Sequence, residues 1–237
     1  SKMMKLYGVP LSQPFRAVAW TMLQNGARFE IKITVPGSTS KIGSRSEDFK
    51  AKTKGRLSTV PLLEYPDSFC VGESPAILTS LCERHGWDSF YAPQGTERKA
   101  LIDSYLHWHH GGTRQLYLLA RPHLRPDVPI PITDEDITKV NDTLSALNDG
   151  WLKDTDYIAG SELSIADILA YEEVVQDSMT GLLPQLSDYN NLSAWVQRMQ
   201  ALPYHEEAHV ALSVLGSLVE PSDTPMTKRL GAATKAG

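Results

Sequence analysis

Residues Leu6-Tyr7-Gly8-Val9-Pro10-Leu11-Ser12-Gln13-Pro14-Phe15-Arg16-Ala17-Val18 carry two periodicities, one on each side of a turn. Lys5 to Val9 is a short run of strand type. Beyond the turn Phe15, Val18, Ala19 and Met22 fall at i, i+3, i+4 and i+7, the spacing of one helix face. Asn25-Gly26 then closes the helix with a residue tolerant of positive φ. Ser12 lies between strand and helix, where unpaired backbone N–H groups and the helix dipole favour a negative group.

Working outward, Phe29 to Ile33 alternates apolar and polar residues with Val35 continuing the period, which predicts a second strand. Residues 36–58 are polar and loop-like, with a short helix expected over Glu47 to Lys52. Val60 to Tyr65 and Phe69 to Val71 read as two strands joined by Pro66-Asp67-Ser68, and Ala76, Ile77, Leu78 and Leu81 begin a helix that ends at His85-Gly86. The order β-α-β-α-β-β-α predicts a small α/β layer with helices over a mixed sheet.

From residue 96 the pattern is helical. Leu101, Tyr105, Trp108, Leu116 and Leu119 form one stripe, and Ile137, Val140, Leu144, Leu147 and Trp151 form a second without a break. Ile165, Ile168, Leu169 and Val175, then Leu192, Trp195, Val196 and Met199, complete the set. Stripes of this kind need one another for burial, so one bundle is expected. Gly86 to Gly95 reads as a linker, Arg121 to Thr133 with four prolines as a loop, and the polar tail after Glu220 as frayed. The expected division is 1–86, a linker over 87–95, a helical domain over 96–220 and a flexible tail over 221–237. No internal repeat is visible.

The 237 residues are 41% hydrophobic with a formal net charge of −5, which argues against a nucleic-acid-binding protein. No apolar run reaches the roughly 18 residues of a membrane span, and Ser1-Lys2-Met3-Met4-Lys5 is not followed by a signal-peptide stretch. The expectation is an intracellular, cytoplasmic protein with no membrane or nucleic-acid partner. Cys70 and Cys82 have no C-x-x-C spacing and no histidine cluster, so they read as buried thiols rather than a metal or disulfide framework.

Four motifs carry a family resemblance. The Ser12-Gln13-Pro14-Phe15-Arg16-Ala17 segment resembles the S-Q-P-x-R-A pattern of the theta class of cytosolic glutathione transferases and its serine-type relatives. Val60-Pro61 resembles the cis-proline turn of the thioredoxin-like fold. Gly72-Glu73-Ser74-Pro75-Ala76-Ile77 resembles the family's E-S-x-A-I motif. Ser164-Ile165-Ala166-Asp167 resembles the buried capping box of the helical half. The resemblance implies α/β plus all-α architecture, a thioredoxin-like N-terminal domain followed by a helical-bundle C-terminal domain.

It also implies roles. On helix-start evidence alone Ser12 is an N-cap; the resemblance makes its hydroxyl the donor that stabilises the glutathione thiolate, an orienting group and not a nucleophile. Glu73 and Ser74 would meet the γ-glutamyl end at a helix N-terminus, and Val60-Pro61 would pair with the peptide backbone as an added strand does. Gln13 completes that set. The family commonly has a lysine before the Val-Pro pair and a histidine after the second strand, and here Thr59 and the neighbourhood of Ser44-Arg45 replace them. Arg45 reads as a solvated loop cation or as the replacement charge. Pro10, Leu11, His110 and Arg114 are implied as the wall of the electrophile site, with Gly111-Gly112 widening it. Asp103 is implied to reach a ligand across a subunit interface. His107 and His110 lie at i, i+3, but with no carboxylate or cysteine beside them no metal site is expected.

The resulting expectation is a theta-like transferase of detoxification type that conjugates glutathione to a small hydrophobic electrophile, with dehalogenation or peroxide reduction as variants. Glutathione serves as co-substrate with no cofactor, in a homodimer. The competing reading is a transferase-like interaction or ligand-carrier module without turnover. A thiol-disulfide reductase is excluded because Ser12 stands where that chemistry needs a cysteine.

Overall fold

The computed structural model describes residues 3–124, 130–178 and 186–217. Strands β1 (Met4–Gly8), β2 (Phe29–Ile33), β3 (Leu62–Glu64) and β4 (Cys70–Gly72) form one sheet in the order β2-β1-β3-β4. β1 runs parallel to β2 and antiparallel to β3, with Leu6 opposite Leu63 and Tyr7 opposite Leu62. This alternation splits the sheet into two faces. Leu6 and Leu63 turn into the main core, which holds α1 (Gln13–Gln24) and α3 (Ser74–His85). Tyr7 and Leu62 turn to the opposite side, where Phe49 of α2 (Glu47–Lys52) covers them.

β2 departs from the expected half-buried pattern: Ile31 and Ile33 are 45% and 53% exposed. It is the edge strand, so its apolar side chains extend past the cover of α1. Val35 does not prolong it and makes only an isolated bridge to Gly43. The strands after the cis Val60-Pro61 bond are shorter than the apolar runs suggest, and Val60-Pro61 itself stands outside them. Cys82 is buried as expected, but Cys70 on β4 is only half-buried.

The helical half contains α4 (Glu97–Trp108), α5 (Tyr117–Leu124), α6 (Asp134–Ser145), α7 (Ile165–Ser178), α8 (Asn190–Gln200) and α9 (His205–Ser217). Two of the long stripes are interrupted. α4 stops at Trp108 and resumes as a 3-10 turn at Thr113, and α6 passes into a π-helical turn over Ala146–Trp151. Leu101 and Ile137, placed on buried stripes by spacing, are 48% and 46% exposed because each lies on the outer side of its helix. Arg121 to Leu124 is helical rather than loop, forming the end of α5. Residues 125–129 of that expected loop, and the tail 221–237, lie outside the described residues.

The segment 87–95 is packed rather than free. Tyr91 and Ala92 are buried, and the carbonyl of Phe90 accepts a hydrogen bond from the Ile165 N–H. One hydrophobic core therefore runs from Leu6 through Trp20 and Tyr105 to Ile168 and Trp195. α1 and α7 pack together at its centre, and Trp20 of α1 donates to the Pro203 carbonyl at 2.9 Å.

Asp167 fastens the start of α7. Its carboxylate accepts from the N–H groups of Ile158 (2.7 Å) and Ser164 (2.9 Å), the Ser164 hydroxyl (2.8 Å) and Trp195 Nε1 (3.0 Å). Only half of the expected reciprocal box is present, because the Ser164 hydroxyl donates to Asp167 instead of accepting from its backbone. A fully reciprocal capping box occurs at Thr133 and Asp136, at the start of α6.

Candidate functional site

The turn after β1 carries Ser12 to the start of α1. A Cβ on Gly8 would lie 2.7 Å from the Phe15 ring, so glycine is what lets α1 fold back this closely on the strand. Ser12 has extended backbone angles and its carbonyl accepts the first helical bond, from Arg16 N–H at 3.0 Å, yet its side chain caps no backbone N–H. The capping reading of this serine is thus corrected: its hydroxyl is left without a hydrogen bond among the described residues. The α1 first turn still has N–H groups without helical partners.

Ser12 faces a cleft of about 720 Å³ between the two halves of the molecule. From the expected set the cleft gathers Leu11, Ser12, Gln13, Arg45, Thr59, Val60 and Arg114. It adds residues that spacing alone did not single out: Pro36, Gly37 and Ser38 from the loop after β2, Ser58 beside Thr59, and Tyr117 from α5. Pro36 to Ser38 follow β2, Ser58 precedes β3 and Tyr117 opens α5, so they share no local sequence signal. The lining combines apolar residues, Val9, Leu11, Pro14 and Tyr117, with hydroxyl-bearing residues and the exposed Arg45.

Glu73 and Ser74 are not in the wall of that cleft but abut it. Leu62 pairs with Gly72, which brings the residues after Gly72 beside Val60-Pro61. Glu73 has φ +66°, a left-handed conformation that a non-glycine residue adopts at a cost of order 1–3 kcal/mol. Its backbone turns there so that Ser74 opens α3 as a buried first residue. Such strain concentrates at ligand sites.

Other expected residues lie elsewhere. Asp103 sits on α4 with its carboxylate accepting from the Tyr91 hydroxyl (2.6 Å) and Lys99 (3.0 Å), outside the cleft of this chain. Pro10 precedes the cleft wall, its carbonyl 3.4 Å from Arg16 Nη1. His110 is exposed and packs edge-on against His109, not into the cleft. Gly112 does not widen the wall: a Cβ there would stand 2.4 Å from the Trp108 indole, so this glycine makes room for the tryptophan instead. Among the described residues no group of three or more His, Cys, Asp and Glu could hold a metal, and no helix is long and apolar enough to cross a membrane.

Charge beneath the cleft is organised by α7. Arg16 and Glu172, both buried, form an ion pair at 2.6 Å, and Arg16 also donates to Gln176 and to the Leu11 carbonyl, each at 2.8 Å. Although burial pushes the Glu172 carboxyl up, the Arg16 and His209 partners hold it below its usual range. Glu173 accepts from Arg114 Nη1 at 3.0 and 3.1 Å and from Gln13 Nε2 at 3.2 Å. Here burial prevails over Arg114 and raises the carboxyl. Arg114 also stacks over Tyr117, 4.7 Å from the ring centroid.

The chain matches the family model described as "Glutathione S-transferase, N-terminal domain" over residues 6–93 and that described as "Glutathione S-transferase, C-terminal domain" over residues 119–203. It is 30% identical to the rat protein named glutathione S-transferase theta-2 over 223 residues, 90% of this chain and 88% of that one. To the mouse glutathione S-transferase theta-1 it is 28% identical, over 84% and 82%. Its fold is similar to that of human glutathione S-transferase T1-1 in the apo form, with a TM-score of 0.76, 27% identity and 98% coverage of both chains. Human glutathione transferase theta-2, solved in complex with glutathione and an unknown ligand, superposes with a TM-score of 0.78 at 25% identity, over 96% of this chain and 98% of that one.

Proposed function

Because the chain belongs to the glutathione S-transferase family, with theta-class enzymes among its relatives, we propose that it conjugates glutathione to a small electrophile in the cleft at Ser12. The observation that carries this reading is the Ser12 hydroxyl, which lies at the start of α1, lines the cleft and is committed to no helix cap.

The chemistry follows from the thiol's acidity. A free thiol titrates near 8.5, so only a few per cent is thiolate at pH 7. A hydroxyl donating to the sulfur beside a helix N-terminus favours the anion and lowers that value. Ser12 then orients the sulfur and the ligand supplies the nucleophile. Val60 offers its backbone to the extended tripeptide, Glu73 and Ser74 take the γ-glutamyl end, and Gln13, Thr59, Pro61 and Arg45 complete the ligand's surroundings. Leu11, Pro10 and Tyr117 give the electrophile an apolar wall, and Arg114 stabilises negative charge that develops on it. His110 plays no part in this arrangement. The division into a thiol-binding unit over 1–86 and a helical unit over 96–220, and a homodimer in which Asp103 reaches the neighbouring ligand, belong to the same proposal.

The competing carrier reading is separated by turnover. Benzyl and aryl halides are incubated with glutathione and the protein, and conjugate is measured. Conjugation that Ser12→Ala reduces strongly supports the enzyme. Glutathione binding with no conjugation of any halide supports the carrier.

A further inference from the structure

α7 presents two consecutive carboxylates beneath the cleft, and they diverge. Glu172 reaches Arg16, whose guanidinium holds the Leu11 carbonyl on the approach to Ser12. Glu173 turns the other way, to Arg114 and to Gln13, the residue that follows Ser12. The Glu173 side chain is 1% exposed and that of Arg114 is 35% exposed. The anchor is therefore out of a ligand's reach while the cation it holds is within it.

Three further groups face this carboxylate or its partner. His109 Nε2 lies 3.7 Å from Glu173 Oε1, but burial pushes the imidazole down to about 3, so it is uncharged at neutral pH. Arg16 belongs to Glu172, and Tyr117 supports the flat face of Arg114. Both bonds from Arg114 to Glu173 use Nη1, and Nε and Nη2 remain as donors. Without Glu173 a side chain as flexible as arginine would sample many rotamers.

We propose that Glu173 is a positioning residue: it fixes Arg114 as the cationic wall of the cleft and, through Gln13, ties that wall to the start of α1 beside Ser12. One buried carboxylate thereby fixes the electrophile side of the site from the start of α1, across the two halves of the chain. The substrates that depend on it are electrophiles whose leaving or accepting group gains negative charge in the reaction. This rests on the reading of the cleft as a glutathione transferase site.

Two arms test it in the full chain. The first needs no turnover: phenylglyoxal labelling of Arg114, followed by peptide mapping, in wild type, Glu173→Gln and Glu173→Asp, each checked for folding by circular dichroism. Labelling should be slow in wild type, several-fold faster in Glu173→Gln and intermediate in Glu173→Asp; an unchanged rate in a folded variant overturns the proposal. If Glu173→Gln does not fold, Glu173→Asp alone decides by the same criterion. The second arm is kinetic. Glu173→Gln should leave KM for glutathione within about twofold while lowering kcat/KM for the electrophile by about tenfold. The same change in Arg114→Gln should not multiply that loss in the double variant. Multiplied losses, or an equal fall in both substrates' parameters, overturn the proposal. A wild type that labels as expected but conjugates nothing defeats the transferase reading and leaves the anchoring of Arg114 standing.

Discussion

Arg16 of the first helix and Glu172 of the helical half meet at 2.6 Å, with side-chain exposures of 1% and 0%. The pair crosses between the two halves of the molecule, and Arg16 also donates to the Leu11 carbonyl one residue before Ser12. Arg16 therefore holds the turn that positions the serine as well as the packing of α1 on α7.

Breaking this pair from one side should be costly. Arg16→Ala leaves the buried Glu172 carboxylate with His209, 3.0 Å away, as its remaining charged neighbour, a loss of about 3 kcal/mol, which for a chain of this size lowers Tm by roughly 10 °C. Replacing both residues with methionine should recover much of that loss, since a packed apolar pair avoids the desolvation cost. Thermal melts of the three variants check this; equal loss in the single and double variants would contradict it.

Asp167 should act on stability and not on ligand contact. Its four donors, from Ile158, Ser164 and Trp195, close the start of α7, and none of these residues lines the cleft. Asp167→Ala leaves several buried donors unsatisfied, for a loss of about 3 kcal/mol. Calorimetric melts should show a Tm drop, with glutathione affinity of the folded fraction unchanged. An unaltered Tm would contradict this role.

Acid should weaken the fold before carboxylates titrate. Burial pushes His109 down to about 3 and His205 down to about 4, while both titrate near 6.5 when unfolded. Below about 6.5 the unfolded chain binds more protons than the native one, so stability present at pH 7 is lost as pH falls toward the folded values. The buried His109 contributes up to about 1.4 kcal/mol per pH unit, and the more exposed His205 less. Denaturant titrations between pH 7 and pH 5 should show this slope, flattened in His109→Gln. A slope identical in wild type and variant would rule out His109 as its source.

Cation placement sets the grip on glutathione. Thr59 and Arg45 both line the cleft and are exposed. Thr59→Lys should tighten glutathione binding by a few-fold, up to about tenfold, and Arg45→Ala should weaken it to a similar extent. Isothermal titration at two salt concentrations tests both, because a gain from charge must shrink at high salt. No change in either variant would remove these residues from the glutathione site.

Much of the fold was legible because its elements obey local rules. Phe15, Val18, Ala19 and Met22 do lie on the buried face of α1, and α3 ends at His85 before Gly86 as its punctuation indicates. Misreadings arose where tertiary cover decides. Ile31 and Ile33 alternate like buried residues but sit on an edge strand, and Leu101 and Ile137 keep helical spacing on faces left exposed among the described residues. The candidate site was partly legible for the same reason: Ser12, Thr59 and Val60 lie on segments whose ends share one side of the sheet. Glu172 and Glu173 gave no such signal. They read as polar residues in an apolar helix, and only the packing of α1 on α7 shows that they face Arg16, Gln13 and Arg114. Gly112 likewise reads as an opening in a wall until the Trp108 ring is seen against it.

The central claim is that Ser12 stabilises the ligand's thiolate, and the direct measurement is the pKa of glutathione's thiol in the complex, followed by ultraviolet absorbance of the thiolate across pH. In wild type the bound thiol should titrate well below the reference of about 8.5, and in Ser12→Ala it should rise by about one unit or more while glutathione still binds. A bound thiol with the same pKa in both proteins would contradict the account.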